Sequence, residues 1–252
     1  VTAFCESGDV REALQETSLD GPVNPTIVTA RLQAVSDWFA RQTNGHWYDS
    51  GGAAADEVDT SAASASTVRL DVPSSPHRQR GQPLAGQDRA ADNRYPVTSN
   101  GPYAEVQLPH RYVTSLTTLD VRDPGGGTTD WVADSDFTEG VGEDYYVQQP
   151  GQESYGRTYL YLYAGAIGGR RDYTNLLTLD YDYGLDAQTD SWKDVRDGIA
   201  LLTAAELSAD DDLRTSIPDN GQLLGVDTKR QAHLADALSG AQAKLAPYLS
   251  SA

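Results

Sequence analysis

Between Leu176 and Leu207 the chain changes its period once, and the rest of the fold has to accommodate that change. Leu177, Leu179, Tyr181 and Tyr183 alternate with Thr178, Asp180 and Asp182, which predicts a strand with one apolar and one wet face. Gly184 stops the alternation. Asp190 or Ser191 can then cap a helix over 191–209. Its Trp192, Val195, Ile199, Leu202 and Ala205 recur three or four apart and form one stripe. A strand feeding an amphipathic helix through a Gly-centred break joins a β part to a helical part. The stretch contains no nucleophile motif, metal cluster or phosphate loop.

Two other segments carry helical spacing. Asn24-Pro25 is a helix start, with Asn24 as cap, and Ile27, Val28, Leu32, Val35 and Phe39 make a stripe with Trp38 beside it. That helix should end near Thr43-Asn44-Gly45. Asp227 can cap a last helix from Thr228 to about Leu245, with Leu234, Leu238, Ala241, Leu245 and Tyr248 on one seam. A short helix over Val10 to Thr17 can start from Asp9. Each of the longer helices must bury its stripe against something, most economically against the others. The expected fold is therefore α+β: an N-terminal helix plus two C-terminal helices form a bundle, with an antiparallel β portion inserted. The divisions read as 1–49, N-terminal helical segment; 50–103, extended loop or arm; 104–184, β portion; and 185–252, C-terminal helices.

Candidate strands in the middle of the chain are 67–72, 104–108, 114–122, 130–133, 145–148, 158–164 and 173–183. Turns fall at Asp123-Pro124-Gly125-Gly126-Gly127 and from Gly165 to Arg171. Tyr159, Tyr161 and Tyr163 alternate with Leu160 and Leu162, and this segment is expected to form a hairpin with 173–183. Its tyrosines suit cross-strand packing or an interface. From Ser50 to Ser66 the text is rich in Ala, Ser and Asp and reads as a loop or weak helix. Residues 73–100 are polar and rich in Pro and Gly, a long loop. They also hold Arg78, Arg80, Arg89 and Arg94, the one basic stretch, and so a candidate contact with an acidic neighbour.

Charge narrows the functions. Asp plus Glu number 37 against 19 Lys plus Arg, a net charge of −18, and Lys occurs only at Lys193, Lys229 and Lys244. An acidic, Lys-poor chain suits a high-salt cytoplasm, where the Debye length falls to about 3 Å at 1 M salt. Carboxylate clusters are then background. Asp180-x-Asp182-x-Gly184-x-Asp186 lacks the Glu that closes a calcium loop, so no metal, cofactor or catalytic residues are assigned. His46, His77, His110 and His233 are scattered. The sign of the charge argues against binding nucleic acid through phosphates. Cys5 stands alone, no apolar run suits a membrane span, and no signal sequence opens the chain, which points to a cytoplasmic product.

The order of features resembles the head–tail connector proteins (head-completion or adaptor proteins) of tailed viruses. The residues that carry the likeness are the Asn24-Pro25 helix with Trp38, then Leu108-Pro109-His110-Arg111-Tyr112-Val113-Thr114-Ser115-Leu116, then Leu177-Thr178-Leu179-Asp180-Tyr181-Asp182-Tyr183-Gly184 running into the helix with Val195 and Ile199. Many relatives have "LP-x-x-P-V-x-S-V"; here Tyr112 stands at the second Pro. With the acidic composition, the resemblance suggests a tailed virus of haloarchaea. It implies a structural, non-enzymatic protein assembled in the host cytoplasm and lodged in the virion neck. Copies would form a ring, a dodecamer by analogy with the portal, in contact with the portal protein and with a neck or tail protein. DNA would pass through the channel without sequence-specific binding. Arg78, Arg80, Arg89, Arg94, Tyr159, Tyr161 and Tyr163 are the expected interface residues. The alternative from another class is an acidic halophilic enzyme or carbohydrate-binding domain using the Tyr-rich β face.

Overall fold

The computed structural model describes residues 3–13, 25–51, 59–76, 94–149, 155–168, 170, 172–186, 188, 190–209 and 223–249. Its first elements are helices α1 (Ser7–Ala13) and α2 (Pro25–Thr43) and strands β1 (Trp47–Tyr48), β2 (Ala63–Leu70), β3 (Ser74–Pro76), β4 (Arg94–Pro96) and β5 (Thr98–Asn100). Then come β6 (Tyr103–Gln107), β7 (Val113–Arg122), β8 (Thr128–Asp130), β9 (Tyr145–Gln148) and β10 (Tyr159–Tyr163). The order closes with α3 (Ala164–Ile167), β11 (Leu177–Tyr183), β12 (Leu185–Asp186), α4 (Asp190–Ala209) and α5 (Leu223–Leu249). The class is mixed α+β with antiparallel sheets. Two compact units share the chain: one is Val1–Ala62 with Gly184–Ala252, the other Ala63–Tyr183.

In the first unit, α1 starts at Ser7, earlier than expected. Asp9 is not its cap: it sits in the first turn, and its carboxylate accepts the Glu6 N–H at 2.9 Å, reaching back across the helix start. Residues 14–17 of the expected helix lie outside the described residues. Helix α2 begins at Pro25, and Asn44, with φ of 46°, ends it in the left-handed conformation that a C-terminal residue needs. Val28, Leu32, Val35 and Phe39 are buried as the stripe requires, but Ile27 is 41% exposed. At about 100° per residue Ile27 sits a quarter-turn away from Val28, on a second side of the helix.

The core of this unit is aromatic. Trp47 is fully buried, with ring centroids 5.0 Å from Phe4, 5.2 Å from Phe39 and 6.2 Å from Tyr248. Helix α4 buries Trp192, Val195, Ile199 and Ala205, and also Ala200, Thr203, Ala204 and Leu207, a wider face than one stripe; Leu202 is half-buried. At Gly198 an added Cβ would stand 2.7 Å from Leu245 Cδ2, so the missing side chain lets α4 and α5 approach closely. Lys244 Nζ lies 3.1 Å from Asp197 Oδ2 across the same pair, and Arg31 Nη1 lies 3.6 Å from Glu206 Oε2 between α2 and α4. Helix α5 begins at Leu223, so Asp227 lies inside it rather than capping it. Ala241, Leu245 and Tyr248 are buried on its seam, whereas Leu238 is exposed; the side chain of Leu234 lies outside the described residues. Strands β1 and β12 pair in parallel, Trp47 with Leu185 and Tyr48 with Asp186. Gly184, at φ of 148°, passes under the Tyr48 ring, 3.0 Å from where its Cβ would be.

The second unit is built from two four-stranded antiparallel sheets, ordered β5-β6-β10-β9 and β2-β11-β7-β8. Ala104, Val106, Leu160 and Leu162 of the first share one core with Leu119, Val121, Leu177, Leu179 and Tyr181 of the second. This corrects the expected hairpin: β10 pairs with β6 and β9, and β11 with β2 and β7. Both strands are rich in inward-facing leucine because they line opposite walls of one core. Between them, α3 occupies part of the segment read as a turn.

Other expectations need correction. Strand β2 starts at Ala63, inside the stretch read as loop or weak helix; small residues on an edge strand leave no hydrophobic alternation to see. The long loop is paired at both ends, Ser74 with Pro96, Ser75 with Tyr95 and Pro76 with Arg94, and Thr98–Asn100 joins the first sheet. Residues 131–133 are a turn rather than strand: Trp131 drops into the core and stacks on Phe137 at 4.4 Å. Segment 104–108 is the strand Tyr103–Gln107 and segment 145–148 is a strand as read.

Candidate functional site

The tyrosines singled out from the sequence sit on one sheet. In the ladder, Tyr159 opposes Gln107, Tyr161 opposes Glu105 and Tyr163 opposes Tyr103. On the other side Tyr161 opposes Tyr146 and Tyr159 opposes Gln148. Since side chains alternate, all of these share the face opposite to Leu160 and Leu162, which occupy the core. Tyr161 and Tyr146 stack at 4.6 Å with planes 9° apart, and Tyr103 meets Tyr146 edge-on at 5.1 Å. The Tyr103 hydroxyl donates to the Glu143 carbonyl at 2.9 Å. Tyr103, Tyr146 and Tyr161 are buried, Tyr159 is half-buried, and Tyr163 is 43% exposed. Burial raises the Tyr146 phenol above its ordinary value, with Tyr103 and Glu105 adding to it. Its hydroxyl is therefore neutral at neutral pH. Three of the five rings are committed to packing, and Tyr163 with part of Tyr159 is the portion a partner can touch.

Of the basic residues, Arg78, Arg80 and Arg89 lie outside the described residues. Arg94 opens β4 and is in register with Pro76.

A third arrangement was not visible in the sequence. The turn Leu108–Tyr112 leads into β7 and is tied to 155–158. Leu108 N–H donates to the Thr158 carbonyl at 2.9 Å and Tyr112 N–H to the Gly156 carbonyl at 2.7 Å, while buried Arg111 donates to the Tyr155 carbonyl at 2.9 Å. Tyr112 has φ of 54°, a value proline cannot take. At Gly156, φ of 80°, an added Cβ would stand 2.3 Å from the Tyr112 ring. The turn presents His110, whose Nδ1 is 2.7 Å from the Tyr181 hydroxyl and whose ring stacks on Tyr183 at 4.1 Å.

A hydroxyl both donates and accepts, so the imidazole tautomer decides which of the two groups donates in this contact. Burial lowers the His110 pKa, which favours the neutral imidazole, and it raises Tyr181, with Tyr183 adding to the rise. His110 and Tyr181 are 71 residues apart, and no local pattern links them.

The Asp180–Asp186 carboxylates have structural partners. Asp180 accepts the Thr67 N–H at 2.6 Å, Asp182 the Ser64 hydroxyl at 2.6 Å, and Asp186 the Ser50 hydroxyl. In the 134–144 loop, Asp134 accepts the Asp136 N–H and Asp144 the Thr138 N–H, both at 3.0 Å. Among the described residues no group of three His, Cys, Asp or Glu could hold a metal ion, and no helix is long and apolar enough to cross a membrane. Compared with protein-family models, curated proteins and solved structures, the chain matches none.

Proposed function

We propose that this chain is a structural subunit of a virion, a head–tail connector whose copies form a ring between the portal and the neck or tail and extend the DNA exit channel. In this reading α2, α4 and α5 make a bundle, and the β unit is an insertion carried by it. The observation that carries the reading is the adjacency of the two β stretches on which the family resemblance rests. Residues 113–119 and 177–183 are far apart in sequence but neighbours in one sheet, Val113 against Tyr183 and Leu119 against Leu179. His110 ties the turn before one to Tyr181 of the other. The stretch 177–183 is followed by Gly184, β12 and then α4.

The charge of −18 fits a channel wall that repels phosphate and lets DNA slide. The test is imaging of the protein together with the portal protein at multimolar KCl. The expected result is a closed ring seated on the portal. A lumen lined by arginines would overturn the sliding-wall argument. An isolated globule with a small molecule in a tight cleft would overturn the connector itself.

A further inference from the structure

The outer face of the sheet β5-β6-β10-β9 is laid out in rows across its ladder. Glu105, Tyr161 and Tyr146 form one row, and both of its rings are buried. The next row is Gln107, Tyr159 and Gln148. Tyr159 is half-buried, and both glutamines are exposed. Neighbouring strands lie about 4.8 Å apart, so an amide flanks the Tyr159 ring on either side. Among the described residues neither side-chain amide has a hydrogen-bond partner, so each keeps its carbonyl acceptor and its N–H donors for a ligand. At the other end of β10, Tyr163 is 43% exposed. Its ring lies over Gly165, where an added Cβ would stand 2.5 Å from Cε1, and Tyr103 meets it edge-on at 6.1 Å. Tyr159 and Tyr163 stand on one face of one strand, about 13 Å apart.

This chemistry selects a ligand class. A flat aromatic ring takes a flat surface of C–H groups, and amides beside it donate to and accept from a rim of hydroxyls. A sugar ring offers both, a C–H face and a rim of hydroxyls that are donors and acceptors at once. The other flat ligand, a nucleobase, arrives with phosphates that a net charge of −18 repels. A basic peptide would want a carboxylate beside the exposed ring, but the ladder sets amides on both sides of Tyr159 and places Glu105 in the row of buried rings. The Tyr159 row is uncharged, so it suits a neutral ligand.

We propose that the Gln107–Tyr159–Gln148 row, extended along β10 to Tyr163, is a binding site for a neutral oligosaccharide. Tyr159 stacks on one sugar, the two amides hold the hydroxyls at its rim, and Tyr163 meets a later sugar of the same chain. The site goes beyond the connector reading and does not depend on it.

Calorimetric titration of the full chain at multimolar KCl tests it, with maltohexaose, cellohexaose, laminarihexaose, mannohexaose and chitohexaose as probes. At least one of them is expected to bind saturably. Replacing both exposed amides, Gln107→Ala with Gln148→Ala, should weaken that binding at least about tenfold. Gln42→Ala, the same change at an exposed position of α2, should leave it unchanged. Tyr159→Phe should keep most of the affinity and Tyr159→Ala lose it, since stacking needs the ring and not its hydroxyl. Circular dichroism establishes that each variant is folded, and the exposed glutamine pair carries the test if Tyr159→Ala is not. Decaproline, a neutral peptide that also favours aromatic rings, is expected not to bind. The proposal is overturned if none of the hexasaccharides binds, if binding survives loss of both amides, or if decaproline alone occupies the row. Each of these outcomes leaves the connector reading to be judged by imaging with the portal.

Discussion

At the residue scale the most informative side chain is His110. Its Nδ1 lies 2.7 Å from the Tyr181 hydroxyl, and burial favours its neutral form. Burial lowers its pKa from the ordinary 6.5. Below pH 6.5 the unfolded chain takes up a proton that the folded chain resists, so stability rises with pH in that window. Lowering the pH from 6.5 towards the folded value should therefore lower the melting temperature, with no further loss from this group below it. His110→Gln, which cannot titrate, should flatten that part of the stability–pH curve. An unchanged slope would show that His110 does not titrate as described. This pair was not legible in the sequence: a histidine in a turn and a tyrosine in a distant strand have no shared local signal. The exposure of Ile27 is not legible from spacing alone, which groups it with the buried stripe although it lies a quarter-turn from Val28.

At the element scale, the α4–α5 contact depends on an absent side chain. Gly198 admits Leu245, which is buried, and Lys244 bridges to Asp197 beside it. Leu245→Ala should cost about 2–5 kcal/mol, read by denaturant unfolding at high salt, because the helices cannot fully close over the lost volume. A cost under about 1 kcal/mol would mean that this seam is loosely packed. Helices were largely readable: Asn24-Pro25 marks the α2 start as a local capping signal, and spacing picks out Trp192, Val195, Ile199 and Ala205 of α4, though that helix buries a wider face. The pairing of strands was not. Alternation identifies a strand and its inner face, but β10 and β11 both turn leucines inward, and only the whole core decides that they lie in different sheets. Only the second half of β2 is legible, within 67–72, because the Ala and Ser residues of 63–66 pack little; Thr67, at φ of 55° and held by Asp180, interrupts this edge with a bulge.

At the scale of the whole molecule, charge governs conditions. With a net charge of −18, folding brings like charges together, and salt relieves the repulsion as the Debye length falls from about 10 Å at 0.1 M to about 3 Å at 1 M. The melting temperature should rise as KCl is added through this range. A melting temperature indifferent to salt would mean that the carboxylates are balanced locally by their own hydrogen bonds, as Asp180 and Asp182 are. Finally, the parallel pair of β1 and β12 has a bearing on how such a chain can change over time. It brings Trp47 alongside Leu185, while Ala63 and Tyr183 are themselves ladder partners. The segment between them thus departs and returns through adjoining points, like a cassette between two clips. It can be lengthened, trimmed or traded for another module without moving the helices. Diversity among related chains should therefore gather in this cassette, while the clips themselves stay fixed.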